Sequence, residues 1–404
     1  MDHIAVVGAG QAGATLVETL RAEGFEGRLT LWGDEPHLPY QRPPLSKGYL
    51  LGEVARDRLH LRPRGFYDER GVELHLGARV AALDTEARTF AHPGGTERFD
   101  ALVLATGSRA NTLPERCTGG LPGVHTIRTL ADIDALEPAL RPGARMLVVG
   151  GGYIGLEAAA VARKAGLAVT LCELNVRLLG RVACKPTADW FRALHRDRGV
   201  EIREGVGLDT LLGHGHVERA RLTDGSEVAV DVVVAGVGAR PDTALAEAAG
   251  LRVENGVAVD AMGRTSAPGV WAAGDCASFP FRGRRVRLES VPHAIDHAGA
   301  VARNVLGAGA PYEARPWFWS DQYDVKLQIA GLNEGFDAIV AREASDIAGG
   351  RSHWYFQGDR LLAVDAMNAP RDYMVGKRLL EAGRSPDRGA LGDPSVEIRS
   401  LLRA

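Results

Sequence analysis

The chain has 404 residues, of which 45% are hydrophobic and 25% charged, with a formal net charge of −3 at pH 7. That leaves room for two or three domains with ordinary cores, and it makes no electrostatic case for nucleic acid or an anionic membrane. No apolar run reaches the length of about 18 residues that a membrane-spanning helix needs.

The N-terminus, HIAVVGAGQAGATL, is apolar but broken by glycines and lacks the basic start of a signal peptide. Its pattern predicts a strand over Ile4–Val7, a turn at Gly8, Gly10 and Gly13, a helix over Ala14–Ala22 and a strand over Leu29–Trp32. Asp34 stands where a ribose-binding acid belongs in a dinucleotide-binding βαβ unit. The stretch LPYQRPPLSKGYLLG follows, where Pro39, Pro43 and Pro44 stop any helix before Leu45. It reads either as a wall against a cofactor, with Arg42 and Lys47 reaching phosphate or ring oxygens, or as a surface loop with solvated charges. From Val72 to Phe99 short strands alternate with turns and lead to a buried strand at Leu102–Leu104. Thr106-Gly107 breaks that strand sharply, as a backbone passing close to a ligand does. Arg109 follows the break, Arg128 lies further on, and a helix over Leu130–Leu140 closes a segment, 109–145, that reads as a crossover between domains.

A second fingerprint then appears in MLVVGGGYIGLEAAAVARKAGLAVTLCE. The strand Met146–Val149 meets Gly150, Gly152 and Gly155, a helix covers Leu156–Lys164, and the strand Ala168–Cys172 ends on Glu173. The first glycine permits the tight turn, the second lets the backbone approach a pyrophosphate, and the third lets helix and strand pack closely. The helix N-terminus offers free N–H groups and partial positive charge to phosphates. Two such units imply two dinucleotides. A helix over Thr187–Arg198 precedes strand-turn-strand passages around Asp224-Gly225, and DVVVAGVGARPD repeats the logic of DALVLATGSRAN, with Gly238 in place of Gly107. The architecture is therefore duplicated.

TSAPGVWAAGDCASF puts Gly274 and Asp275 after a strand and before an expected helix. Asp275 can accept from a polyol hydroxyl, or it can be an ordinary helix cap. His293 and His297 fall at i, i+4 on the next helix. With no Glu following the first and no third ligand nearby, they read as a satisfied or exposed pair and no metal site is expected. From Pro316 the pattern alternates at period two, with a turn at Gly358-Asp359 and a helix over Pro370–Glu381, which reads as a small α+β domain. Trp317 and Trp319 are either core or a ring cover, and 384–404 reads as a lightly tied tail. Cys117, Cys172, Cys184 and Cys276 form no CxxC pair, so a zinc knuckle and a dithiol redox pair both lack their residues, and a reducing cytoplasm fits.

The motifs GAGQAG, RPPLSKGYL, LATGSR, IRTL, GGGYIGLEAA, AAGDCA, RLESVP and PWFWSDQYDVKLQ together resemble the NADH-using, FAD-dependent ferredoxin reductases of bacterial oxygenase systems, the putidaredoxin reductase type. The resemblance runs over nearly the whole chain. It implies the α/β fold of the glutathione-reductase superfamily: two Rossmann-like dinucleotide-binding domains and a C-terminal α+β interface domain. The FAD domain (1–108 and 238–315) would be interrupted by the NAD domain (109–237), with 316–404 last.

Carried over by position, Gly8, Gly10, Ala12, Gly13 and Asp34 would hold the ADP part of FAD. Lys47, Val80, Thr106, Arg128, Asp275 and Val291 match FAD contacts, and Pro44 and Trp319 would lie beside the ring. Arg42, Ala105, Gly107, Arg109, Gly238 and Gly274 complete the cofactor-binding set. Gly150, Gly152, Tyr153, Ile154, Gly155 and Glu173 would hold NADH, and Lys47 with Glu157 resembles the polar pair at the flavin edge. RVACKPT departs from the family's RV-x-AP-x-x-S, which touches loop detail around Cys184 and Lys185.

The resemblance implies a hydride taken from NADH and single electrons passed to a separate, soluble [2Fe–2S] ferredoxin, with no acid–base residue required. Arg282, Arg284 and Arg285 would either meet an acidic partner or form a solvated turn. A disulfide reductase would need a cysteine where RPPLSKGYL has Ser46 and Lys47. An NADH oxidase, a monodehydroascorbate- or quinone-type reductase, and a redox-sensing flavoprotein without turnover share most of the motifs.

Overall fold

The computed structural model describes residues 1–344 and 349–403. The chain divides into two compact units, one made of Met1–Gln41, Ala55–Arg109 and Ala239–Pro316, the other of Arg42–Val54, Ala110–Gly238 and Trp317–Ala404.

The first unit is built on a parallel five-stranded sheet, in spatial order Val270–Ala272, Ala101–Leu104, His3–Val7, Arg28–Trp32, Val72–His75. Its inner strands, His3–Val7 and Ala101–Leu104, are fully buried and rich in Val, Leu, Ile and Ala, as a sheet covered on both faces requires. The helix Gln11–Ala22 lies on one face with the helix Val291–Val305, and Leu16, Val17, Leu20, Ala298, Val301 and Ala302 share one core. Truncating Leu20 there would cost about 2–5 kcal/mol.

The second unit repeats the plan. Its parallel sheet runs Val200–Glu204, Ala168–Glu173, Arg145–Val149, Val232–Ala235, Val124–His125. The registers match: Val7 sits opposite Trp32 and Leu104, and Val149 opposite Cys172 and Ala235. Each unit also carries a three-stranded antiparallel ribbon, Ala82–Asp84 to Gly95–Arg98 in the first and Leu208–Leu212 to Glu227–Ala229 in the second. The second unit adds an antiparallel sheet ordered Trp317–Gln322, Val325–Gly331, Arg360–Met367, Arg351–Gln357, Ala338–Glu343, backed by the helix Pro370–Glu381. Among the described residues no helix is long and apolar enough to cross a membrane.

Four local expectations change. The segment expected as a bare crossover contributes the strand Val124–His125, which pairs with Val233–Val234. The helix begun at Leu130, capped by Thr129 and Asp132, ends at Leu136, and a 3₁₀ turn over Glu137–Ala139 accommodates Pro138. Asp275 belongs to a single 3₁₀ turn, Gly274–Cys276, followed by the strand Ala277–Phe281, because ASFPF alternates and pairs with Arg284–Val286. The tail is not lightly tied. Leu391, Ile398 and Leu401 are buried in the C-terminal core, and the buried Arg342 guanidinium donates to the carbonyls of Leu391 (2.9 Å), Asp393 (2.9 Å) and Val396 (2.6 Å).

Replacing that guanidinium leaves three carbonyls without a donor, two of them part-buried. Arg342→Met is expected to lower stability by about 2–4 kcal/mol. Limited proteolysis should then clip the chain beyond residue 383 well before the rest of the protein is cut; cleavage at the unsubstituted rate would remove this role.

Candidate functional site

In each unit the strand–glycine–helix junction is dictated by close backbone contact. Gly8 has φ +119°, and a Cβ there would lie 2.1 Å from the Ala105 carbonyl oxygen. A Cβ on Gly13 would lie 1.9 Å from the Gly8 oxygen. The second unit gives Gly150 φ +106° with a would-be contact of 2.4 Å to the Gly236 oxygen, and Gly155 one of 2.0 Å to the Gly150 oxygen. No side chain fits at these four positions. Gly10 and Gly152 differ: a Cβ on either meets nothing within 4 Å. Each is the N-cap of a 12-residue helix and supplies no side-chain cap, so the first-turn N–H groups face open space. Two such cradles fit two pyrophosphates by the chemistry of their donors.

Around the first cradle the described chain assembles Ala12, Ala105–Gly107, Arg109, Gly274 and Asp275. The Ala105 N–H donates to Val7 O (2.7 Å), and Thr106 Oγ1 donates to Asp242 O (2.6 Å). Gly274 has φ +77° and approaches the start of the helix so closely that a Cβ would sit 2.9 Å from that of Ala12. Asp275 accepts from Ser108 Oγ at 3.2 Å and caps no helix, which removes the helix-cap alternative. Arg109 pairs with Asp242 at 2.7 Å and reaches to 3.6 Å from Asp34, whose carboxylate is exposed. Val80 is buried in the core, and Val291 is the first residue of its helix.

Behind this turn, His293 and His297 stack at 5.0 Å with Phe279 and Tyr312. Both are buried, His293 bonds the Tyr312 hydroxyl (3.1 Å), and His297 Nδ1 accepts from the Gly274 N–H (3.3 Å). They are part of the support under Asp275. Cys276 is buried as well, and burial pushes its thiol up from the ordinary range.

In the second unit Glu173 is committed to the glycine loop. One oxygen accepts from Gly151 N–H (2.7 Å), the other from Asn175 N–H (2.8 Å) and Asn175 Nδ2 (2.5 Å). Arg177 is held by the carbonyls of Ala183 and Gly180 in its own loop, while Arg181 is exposed near Gly238. Tyr153 offers the helix terminus only its backbone. Its ring packs edge-on against Phe318 at 4.7 Å, and its hydroxyl is buried with no hydrogen-bond partner among the described residues. Ile154 is exposed one position on. One turn further along the helix, Glu157 is buried and triply held: Lys47 Nζ (2.6 Å) and Ser46 Oγ (2.5 Å) reach one oxygen, and Ser320 Oγ (2.6 Å) the other. Pro44 lies in the 3₁₀ turn Pro43–Ser46 that delivers Ser46 and Lys47, and Arg42, at its N-cap, donates to the Arg128 carbonyl at 2.7 Å. Trp319 sits 5.7 Å from Trp317, centroid to centroid.

Ser46 and Ser320 were missed as partners of Glu157. The available signal was a pair of polar residues, Ser320 and Gln322, at alternate positions on the same strand face as Phe318. Arg285 corrects another expectation. It turns inward to the carbonyls of Val259 and Ser278, so it is tied to its own unit rather than carried on a fully solvated turn. The four cysteines are free. Among the described residues no cluster of three metal-ligating side chains occurs.

Burial lowers the pKa of His293 to about 4 and that of His297 well below 6.5. The unfolded chain therefore takes up protons first as pH falls. The stability gained by keeping His293 neutral is complete above about pH 6.5 and is lost as pH drops toward 4, on the order of 3 kcal/mol, and His297 acts in the same direction. The melting temperature should fall over that window, and His293→Phe should flatten the fall; an unchanged slope in that variant would count against the assignment.

Residues 2–298 match the model of the pyridine nucleotide-disulphide oxidoreductases, and residues 317–402 that of a reductase C-terminal domain. The chain is 42% identical to a ferredoxin–NAD(P)(+) reductase of Sphingomonas sp., over 99% of this chain and 97% of that protein. It is 38% identical to putidaredoxin reductase of Pseudomonas putida, over 100% and 97%. The crystal structure of a covalent putidaredoxin reductase–putidaredoxin complex superposes with a TM-score of 0.95 at 37% identity, covering 100% of this chain and 98% of that one.

Proposed function

The chain belongs to the pyridine nucleotide-disulphide oxidoreductase family, and from that premise we propose that it is an FAD-dependent reductase that takes electrons from NADH and delivers them to a small [2Fe–2S] ferredoxin. The observation that carries this reading is the pair of uncapped helix N-termini, each behind a glycine turn too tight for a side chain. The resemblance of the whole chain to ferredoxin reductases supplies the acceptor. When bound, the flavin accepts a hydride and gives up electrons singly, and this is the chemistry the cofactors bring.

The protein's part is placement. We assign the helix terminus at Gly10 to the FAD pyrophosphate, Asp34 to its ribose and Asp275 to the ribityl chain, with Ala12, Gly13, Val80, Ala105–Gly107, Arg109, Gly274 and Val291 lining the same cofactor. The terminus at Gly152, with Gly150, Ile154 and Gly155, takes the NADH pyrophosphate. Glu173 takes the adenosine ribose while latching Gly151. Lys47 and Glu157 keep the role the family resemblance gives them, a charge pair at the flavin edge, and Arg42, Pro44, Arg128, Gly238 and Trp319 keep their family positions. The cysteine pair of a disulfide reductase is replaced by Ser46 and Lys47, so electrons leave by a docked carrier rather than a dithiol. The domain ranges 1–108, 109–237, 238–315 and 316–404 go with these assignments. A reducing cytoplasm is the compartment this chemistry suits.

Three outcomes test the reading. Asp275→Ala should release FAD, measured as flavin content after gel filtration; full retention would return Asp275 to a purely structural role beside Ser108. Glu173 repels a 2′-phosphate but also holds the glycine loop, so Glu173→Ala should raise KM for both nucleotides and narrow the NADH-over-NADPH ratio of kcat/KM, roughly tenfold for each 1.4 kcal/mol removed. In fast-mixing experiments NADH-reduced protein should pass electrons to a cognate [2Fe–2S] ferredoxin faster at low salt than at high salt. Rapid transfer to oxygen or a quinone, with every cognate ferredoxin ignored, would make it an oxidase.

A further inference from the structure

On the strand Trp317–Gln322, alternation puts Phe318, Ser320 and Gln322 on one face, and the last two are polar yet buried. A buried amide has to find partners, and those of Gln322 fall in a line. The Tyr323 hydroxyl lies 3.4 Å from His195 Nδ1, and His195 Nε2 lies 2.8 Å from Gln322 Oε1. Gln322 Nε2 donates to Ser320 Oγ at 3.2 Å, and Ser320 Oγ donates to Glu157 Oε1 at 2.6 Å.

The chemistry of the groups sets the direction. Ser320 has one hydrogen, and the Glu157 carboxylate takes it, so the amide nitrogen of Gln322 must face Ser320 and its oxygen must face His195. His195 then carries its hydrogen on Nε2 and accepts the Tyr323 hydroxyl on Nδ1. Every hydrogen in the line points toward Glu157. Bonds oriented head to tail polarise one another, so the last donor is stronger than an isolated serine hydroxyl. Burial holds the pKa of His195 down at about 4, so the line carries no competing charge near neutral pH. A side-chain amide does not relay protons readily, so the line acts on Glu157 electrostatically rather than as a conduit.

We propose that Ser320, Gln322 and His195 are positioning residues that hold the Glu157 carboxylate against Lys47 and withdraw part of its charge, and that this sets how readily the flavin is reduced. The proposal rests on the reading that Lys47 and Glu157 stand at the flavin edge. Without the line, charge density builds on Glu157 and disfavours the reduced flavin, so the midpoint potential falls and NADH reduces the flavin more slowly.

The test uses FAD-loaded protein carrying Ser320→Ala or Gln322→Met, each alone and together with Glu157→Gln. Each single variant is expected to slow flavin reduction by NADH roughly tenfold, the worth of one charge-assisted hydrogen bond, and to lower the flavin midpoint potential. Ser320→Thr should restore both. In the Glu157→Gln background neither substitution should change rate or potential further, because the charge on which the line acts is gone. Nitrogen-15 spectra should show His195 as the neutral Nε2–H tautomer. Wild-type rate and potential in the single variants, or an undiminished effect in the Glu157→Gln background, would overturn the proposal and leave the flavin-edge reading intact. A Glu157→Gln protein with wild-type rate and potential would overturn that reading and the proposal with it. If Gln322→Met loses its flavin, Ser320→Ala decides alone.

Discussion

A carboxylate removed from water must be fully partnered, and the second unit is arranged around that requirement at Glu157. Its partners come from distant parts of the chain: Ser46 and Lys47 from the proline-rich turn, Ser320 from the first strand of the C-terminal sheet. Removing Lys47 leaves the charge uncompensated, and removing either serine takes a donor from a carboxylate whose residue is 3% exposed. This explains why residues 42–54, which follow the first βαβ unit in sequence, belong to the second compact unit. The same bonds give the Lys47 ammonium one fixed location, a property an exposed pair would lack.

The two halves solve one problem twice and finish it differently. In both, a carbonyl oxygen presses on the first and third glycines so closely that only hydrogen fits, and the second glycine leaves the helix terminus open. The acids after the second strand diverge. Asp34 is exposed beside Arg109, whereas Glu173 is spent largely on Gly151 and Asn175. The first is available to a ligand hydroxyl, and the second also shapes the loop that meets the ligand.

Much of this was legible in the residue pattern. Spacing, strand hydrophobicity and terminal acids identified both βαβ units, because backbone sterics at a tight turn act on neighbours in sequence. The C-terminal alternation identified a sheet for the same local reason. What escaped was decided at long range. Arg342 ties the last twenty residues through carbonyls some fifty positions away, and no local pattern announces that. Arg285 reads as one of three surface arginines until its carbonyl partners are seen. His293 and His297 differ in no sequence feature from an exposed pair, yet they lie stacked beneath the Asp275 turn.

By itself the sequence determined the doubled strand–glycine–helix device, the absence of a CxxC dithiol and the family to which the motifs are similar, since each is carried by residues close together in the chain. Only the tertiary structure decided which charges are spent within the protein and which remain for a ligand. Burial and partners at separations of a hundred residues or more, as between Lys47 and Glu157 or Glu157 and Ser320, govern the energy of a charge, and they exist only once the chain has folded.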